Sequence, residues 1–365
     1  MIFALKSALR SLRDLPARRG NARGLRDLTR CTDRHPVVAF GGVLDGKSFI
    51  HGGAVKLLHL RDAFASDEKN FNILYLVSSA QPNFADDLVS VCRQRGMRFV
   101  WNQNGVGYPA WAGREAERHN APMRRLRARA DAIIYQSAFC RDSAECFLGP
   151  VSQPGEILWN PVDLKKFHPP PEPPPSRPLR LLALGTQNYP DRVLSVIEAL
   201  KTIRSGGVEA TLTIAGRLLW PGGEAEVKRT LEQKNLVAHV TLRPAFTQDE
   251  AAAYYRSHHI LIHPKYLDPC PTVVIEALAS GLPVIGSASG GLPEMVPPDC
   301  GTLVPVPLDW NRLVTPSGEQ LAAAVQTLLP RLPEASRAAR HHAETAFDGV
   351  RWVDRHRDIF TRLLS

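Results

Sequence analysis

The sequence predicts an α/β protein of two doubly wound, Rossmann-like domains that face each other across a cleft. Three observations carry this expectation. Strand-sized apolar runs alternate with helix-sized stretches along most of the chain. The alternation breaks at the proline-dense residues 168–178 and then resumes. A length of 365 residues with 44% hydrophobic content is too much for one ordinary core and enough for two.

Residues 1–35 form a basic lead with nine Lys or Arg against three Asp, which is +6 of the chain's formal +9. Ile2, Phe3, Leu5, Ala8, Leu12 and Leu15 would line one face of a short basic helix lying on an anionic membrane. A solvated arginine-rich arm explains the same residues equally well. The first domain spans 36–168, with strands expected at 36–40, 72–77, 98–101 and 132–136 and helices at 54–65 and 86–95. Residues 169–178 read as a stiff, extended linker, because prolines at this density fit neither a helix nor a central strand. The second domain spans 179–345, with strands at 179–184, 210–215, 239–242, 260–263 and 284–287. Residues 346–365 carry a last helix near 350–364. Parallel sheets bind ligands beyond their strand C-termini, so paired domains would set two such edges against one cleft.

Several classes of function are disfavoured. No run of about 18 apolar residues is present, so no membrane-spanning helix is expected. The apolar start is short and interrupted by Lys6 and Arg10, which does not suit a secretory signal. Six cysteines form no C-x-x-C pair, so a reduced, cytoplasmic protein is the simplest account, with residues 1–34 offering a peripheral membrane contact. Arg114, Arg118, Arg124, Arg125, Arg127 and Arg129 form a second basic cluster, which would attract lipid headgroups or phosphorylated substrates. Nucleic acid is a poor fit, since no recognition motif accompanies the charge. His258, His259 and His263 flank one strand without a ligand set of metal-binding spacing, so no metal is expected.

Residues 263–296 are the most informative stretch. Asp268 and Glu276 stand on either side of a Pro-rich bend that opens into an apolar helix, which stops at Gly281. Eight helical residues span roughly 12 Å, so Asp268 belongs to the loop and Glu276 to the first two turns. Free amides near Cys270, Pro271, Thr272 and Val273, together with the helix dipole, would suit a phosphate.

The pattern Asp268 to Glu276, then Gly281-Leu282-Pro283-Val284, then Gly290-Gly291-Leu292-Pro293-Glu294 resembles the retaining GT-B glycosyltransferases of family four. The family usually has glutamate where Asp268 stands, which shortens the reach by one methylene. The resemblance implies a GT-B fold whose first domain is the acceptor side and whose second is the donor side. It also implies retaining, metal-independent transfer from a uridine- or guanosine-diphosphate sugar to a glycan or lipid-linked acceptor, without a further cofactor. Asp268 would hold sugar hydroxyls and Glu276 the ribose. Gly52 and Gly53 would let backbone approach the donor phosphates, and Lys56 after them reads as a solvated cation. Asn104 falls where the family places sugar contacts. After Gly185 the family places a phosphate-clamping Arg and Lys; here Thr186 takes the first position and Arg192 is the nearest cation. Arg217 is a second candidate. A non-catalytic nucleotide-sugar-binding protein and a sugar-nucleotide epimerase on the same fold are the alternatives.

Overall fold

The computed structural model describes residues 24–42, 44, 52–153, 155–243 and 246–365. Residues 1–23, with the expected apolar face and most of the basic lead, lie outside the described residues, as do residues 45–51.

The first half of the chain runs β1 (Thr29–Arg30), β2 (Val37–Ala39), α1 (Gly52–Ala63), β3 (Ala65–Ser66), β4 (Asn70–Phe71), β5 (Ile73–Val77), α2 (Ala85–Gln94), β6 (Arg98–Gln103), α3 (Ala116–Arg127), β7 (Ala132–Tyr135), α4 (Ala138–Leu148) and β8 (Gly155–Ile157). Six strands form a parallel sheet in the order β3-β2-β5-β6-β7-β8. Its central strand β5, Ile-Leu-Tyr-Leu-Val, is buried throughout, as expected of a parallel strand covered on both faces. One core packs Leu88 and Val89 of α2 with Cys140 and Ala144 of α4. The opposite face packs Leu57 and Leu60 of α1.

The second half runs β9 (Leu179–Leu184), α5 (Pro190–Ser205), β10 (Ala210–Ala215), α6 (Gly223–Gln233), β11 (Val240–Arg243), α7 (Gln248–Ser257), β12 (Ile260–His263), α8 (Thr272–Ala279), β13 (Val284–Ala288), α9 (Leu292–Met295), β14 (Gly301–Pro305), α10 (Gly318–Leu328), α11 (Leu332–Ala346) and α12 (Gly349–Leu364). Its parallel sheet has the order β11-β10-β9-β12-β13-β14, so the winding direction reverses between β9 and β12. Residues 169–178 between the sheets carry neither helix nor strand.

The last helix crosses to the first domain. Trp352, Ile359 and Phe360 of α12 enter the same core as Leu57 and Leu60, and Arg355 pairs with Glu156 at 2.8 Å.

Two local expectations need correction. Helix α1 opens at Gly52 and ends at Ala63, two residues earlier than expected at both ends. Strand β6 continues through Asn102 and Gln103, because side-chain partners satisfy these polar residues inside the sheet. The Trp101 indole donates to Gln103 Oε1 at 2.8 Å, and Asn102 Nδ2 donates to the Tyr75 hydroxyl at 2.8 Å.

The second arginine cluster is largely neutralised within the domain. Arg118 pairs with Glu115, Arg124 with Glu117, and Arg125 with Asp86, at 2.7–2.9 Å, while Arg127 is buried. No helix among the described residues is long and apolar enough to cross a membrane.

Candidate functional site

The reversal between β9 and β12 makes a crevice at the sheet's C-terminal edge, and the loops after these two strands line it. Gly185 ends β9 with φ +106°, and a Cβ there would meet Val273 Cγ1 at 3.5 Å, so this loop faces the tip of α8. Helix α5 starts at Pro190, whose fixed φ suits a first helical position. That start places Arg192 in the first turn. Arg192 is only 7% exposed, its guanidinium lies 5.0 Å over the Tyr189 ring, and Nη1 has no hydrogen-bond partner. Burial pulls its pKa down, while Asp268 and the hydroxyls of Tyr189 and Tyr108 act against that pull. A buried cation with an unused donor is costly unless something else supplies the acceptor. Tyr108, Tyr189, Arg192, Lys265 and Pro269 line a cavity of about 420 Å³ beside it.

Asp268 is 6% exposed. His263 Nε2 lies 3.1 Å from its Oδ2, and Lys265 Nζ lies 2.9 Å from the same oxygen. Burial alone would raise the carboxyl's pKa. Lys265 and His263 outweigh burial and hold it far below the usual carboxylate range. The carboxylate only accepts, so His263 Nε2 must carry the proton. Burial keeps that imidazole below its ordinary pKa against the opposing pull of Asp268, which makes the contact a neutral donor to an anion. Both contacts fall on Oδ2, which leaves Oδ1 for a ligand.

The carboxylate loop is braced from behind. Gly291 N donates to Asp268 O at 2.9 Å. A Cβ at Gly290 would lie 2.4 Å from Asp268 O, and one at Gly291 would lie 2.1 Å from Pro269 O. No side chain fits so close an approach, so the glycine pair holds the loop that presents Asp268. Glu294 follows in α9 and ties the domains together. Its carboxylate accepts the backbone N–H of Ala138 at 2.7 Å and of Phe139 at 2.8 Å, at the start of α4.

Helix α8 narrows the expected row of amides. Pro271 is its N-cap and has no N–H, and its carbonyl accepts from Val274 and Ile275. The donors are therefore Thr272 and Val273 in the first turn, with Cys270 before them. Cys270 also spans the interface, because Asn160 donates its backbone N–H to Sγ at 3.4 Å and its Nδ2 to the Cys270 carbonyl at 3.1 Å. Glu276 is 5% exposed on α8, and its Oε2 accepts from the Tyr255 hydroxyl at 2.9 Å.

The first-domain expectations fare differently. Gly52 and Gly53 do open α1. Asn104 is engaged internally, with Oδ1 accepting from Lys56 at 2.8 Å and Nδ2 donating to Ser79 at 2.5 Å. Lys56 is not solvated. It is 3% exposed and bonds Asn102 Oδ1 at 2.5 Å as well. Arg217 is an exposed residue after β10, and its backbone carbonyl accepts from Gln187. No hydrogen bond or ion pair of its side chain joins it to Arg192 or Asp268. Sequence reasoning missed Lys265, Lys56, Tyr255 and the contact of Glu294. Lys265 had a local signal, standing three residues before Asp268. Among the described residues, no group of three or more His, Cys, Asp or Glu is placed to hold a metal ion.

Residues 165–329 match the family model described as glycosyl transferases group 1. Mycobacterium tuberculosis glycogen synthase is 28% identical over 225 residues, which is 60% of this chain and 51% of that protein. The D-inositol 3-phosphate glycosyltransferase of Streptomyces bingchenggensis is 40% identical over 108 residues, 29% of this chain and 22% of that one. The chain thus spans about half, or less, of the curated relatives it matches. Among solved structures, Anabaena HepE in complex with UDP-glucose superposes with a TM-score of 0.66 at 14% identity, covering 90% of this chain and all of that one. The fold is GT-B, and the segment that matches the group 1 glycosyl transferase model holds the second sheet and most of its helices.

Proposed function

We propose that this chain is a retaining, metal-independent glycosyltransferase that moves a sugar from a nucleoside-diphosphate donor to a glycan or lipid-linked acceptor. The observation that carries this reading is Arg192, buried with an unused donor at the crevice where β9 and α8 meet. Arg192 and the amides of Thr272 and Val273 would receive the diphosphate and stabilise its growing charge as the anomeric carbon–oxygen bond breaks. Oδ1 of Asp268 would accept a hydroxyl of the donor sugar. Glu276 would hold the ribose, with its carboxylate oriented by Tyr255. UDP-glucose bound to HepE, a neighbour in fold, supports a nucleotide-sugar donor.

The test is nucleotide release from a panel of uridine- and guanosine-diphosphate sugars with EDTA present, with and without membrane lipid extract. Release from one donor, lost in Glu276→Gln at an unchanged melting temperature, supports the reading. The anomeric configuration of the product by NMR tests retention. No release and no thermal stabilisation by any nucleotide would refute the enzyme. For a lipid-linked acceptor, the membrane contact would come through residues 1–34. Co-sedimentation with anionic liposomes should then weaken when these residues are removed or salt is raised.

A further inference from the structure

Lys56 is a buried amine whose counter-charge is missing. Its ammonium would be satisfied at two corners by the neutral amide oxygens of Asn102 and Asn104, at 2.5 and 2.8 Å. Among the described residues no carboxylate pairs with it, and its third proton has no acceptor. The titratable groups facing it are the thiols of Cys270 before α8 and Cys140 on α4, the phenol of Tyr75 on β5, and the imidazole of His356 on α12. All four are kept neutral by burial: both thiols and the phenol are raised, Cys140 to about 12, and His356 is lowered to about 3.

The cage is rigid and directional. Asn102 Nδ2 donates to the Tyr75 hydroxyl at 2.8 Å. The hydroxyl lies 3.0 Å from His356 Nε2, and His356 Nδ1 lies 2.8 Å from the Trp352 carbonyl. The carbonyl can only accept, so Nδ1 carries the proton and Nε2 receives that of Tyr75. This chain fixes Asn102 with its oxygen turned to Lys56. On the other side Asn104 leads into Gly105, where a Cβ would stand 3.5 Å from Pro269 of the opposite domain. Lys56 thus stands behind a contact between the domains, with the Cys270 thiol ahead of α8 among the groups acting on it. It is the first-domain counterpart of Arg192: each is a buried basic residue near the start of the helix that follows the strand at its sheet's reversal point.

We propose that Lys56 is a chargeable counter-ion of the donor diphosphate, taking a proton from solvent when the anion seats at the tip of α8 and returning it when the nucleotide leaves. Thr186 stands where a second cation would otherwise serve, and Lys56 supplies that charge from the opposite domain. Desolvation lowers its pKa to about 7, so without nucleotide the amine is largely neutral at pH 8. A nearby dianion favours the charged form and reverses the balance. Lys56 acts through the field and through Asn104, so it is a positioning residue. The inference rests on the donor reading above.

The test is isothermal titration of the full chain with UDP and with GDP at pH 6 and pH 8, in buffers of different ionisation enthalpy. The expected result is uptake of close to one proton per bound nucleotide at pH 8 and little at pH 6. Lys56→Arg should keep the affinity and abolish the uptake, while Lys56→Met should weaken binding tenfold or more at pH 6. A purely structural lysine would move the melting temperature and leave the proton count untouched. Binding without uptake in the unmodified chain, or the same uptake in Lys56→Arg, overturns the inference and leaves the donor reading standing. Failure of the unmodified chain to bind either nucleotide sinks both. The proton count of the unmodified chain is decisive even if Lys56→Met does not fold.

Discussion

Glu294→Gln tests whether the second glycine motif holds the two domains together. The Glu294 carboxylate accepts two backbone amides at the start of α4, Ala138 at 2.7 Å and Phe139 at 2.8 Å. Hydrogen bonds to a charged group contribute about 1.5–3 kcal/mol each, and the negative charge at a helix N-terminus adds about 0.3–1 kcal/mol. Glutamine keeps one acceptor oxygen but turns an amide N–H against the other donor. The expected loss is therefore about 2–3 kcal/mol, which corresponds to roughly 30- to 150-fold in a local opening equilibrium. Native-state hydrogen exchange reads this residue by residue. The Ala138 and Phe139 amides should exchange faster by that factor. Cys140 is an internal control, because its N–H is held at 3.0 Å by the Ser137 hydroxyl, which the substitution does not touch. Unchanged exchange at 138 and 139 would refute the tie. Equal acceleration at all three amides would show that α4 has loosened as a whole.

Arg192→Met should weaken UDP or GDP binding at least tenfold while the unfolding midpoint holds or rises, since the buried guanidinium carries an unpartnered donor; equal affinity would remove Arg192 from the proposed diphosphate site. Gly291→Ala places a methyl 2.1 Å from Pro269 O, so it should shift the Asp268 loop, abolish transfer and cost about 1–3 kcal/mol in urea unfolding; retained activity would show that the loop position does not matter. Lys265→Met tests the electrostatics of Asp268. The carboxyl's pKa is depressed in the fold, so its stabilisation is complete above the unfolded value of about 3.9 and fades as pH falls toward the folded one. Removing Lys265 narrows that window, and the acid-unfolding midpoint should move to higher pH; an unmoved midpoint would show that His263 alone holds the charge.

The interior of the second sheet was legible because parallel strands buried on both faces read as unbroken apolar runs, and β9, β10 and β12 fall at the expected residues. The edge strands of the first sheet were not: β3 and β8 are two and three residues long and mostly exposed, too short to show a period. In the candidate site, the placement of Asp268 in the loop and Glu276 on α8 was legible because one continuous segment sets their spacing. The contacts that bury and orient the residues around them are long-range. Lys56 meets Asn102 across 46 positions, Tyr255 meets Glu276 across 21, and Glu294 meets Ala138 across 156.

Lys56 nevertheless left a trace that local reasoning can use. Side chains four apart share a helix face, and Lys56 stands on the face of Leu60, which is fully buried. Arg192 repeats the pattern in the second domain, on the face of Val196 and Ile203. A cation at the head of an apolar stripe cannot reach bulk water without leaving that stripe, so burial holds it at the strand C-terminal edge, where each sheet opens to the cleft. The stripe makes the charged form costly, and an anion in the cleft would offset that cost. For a helix following the strand at a sheet's reversal point, a basic residue heading the apolar stripe would therefore mark, under the proposed function, the side that receives a charged ligand. In this chain both domains carry one.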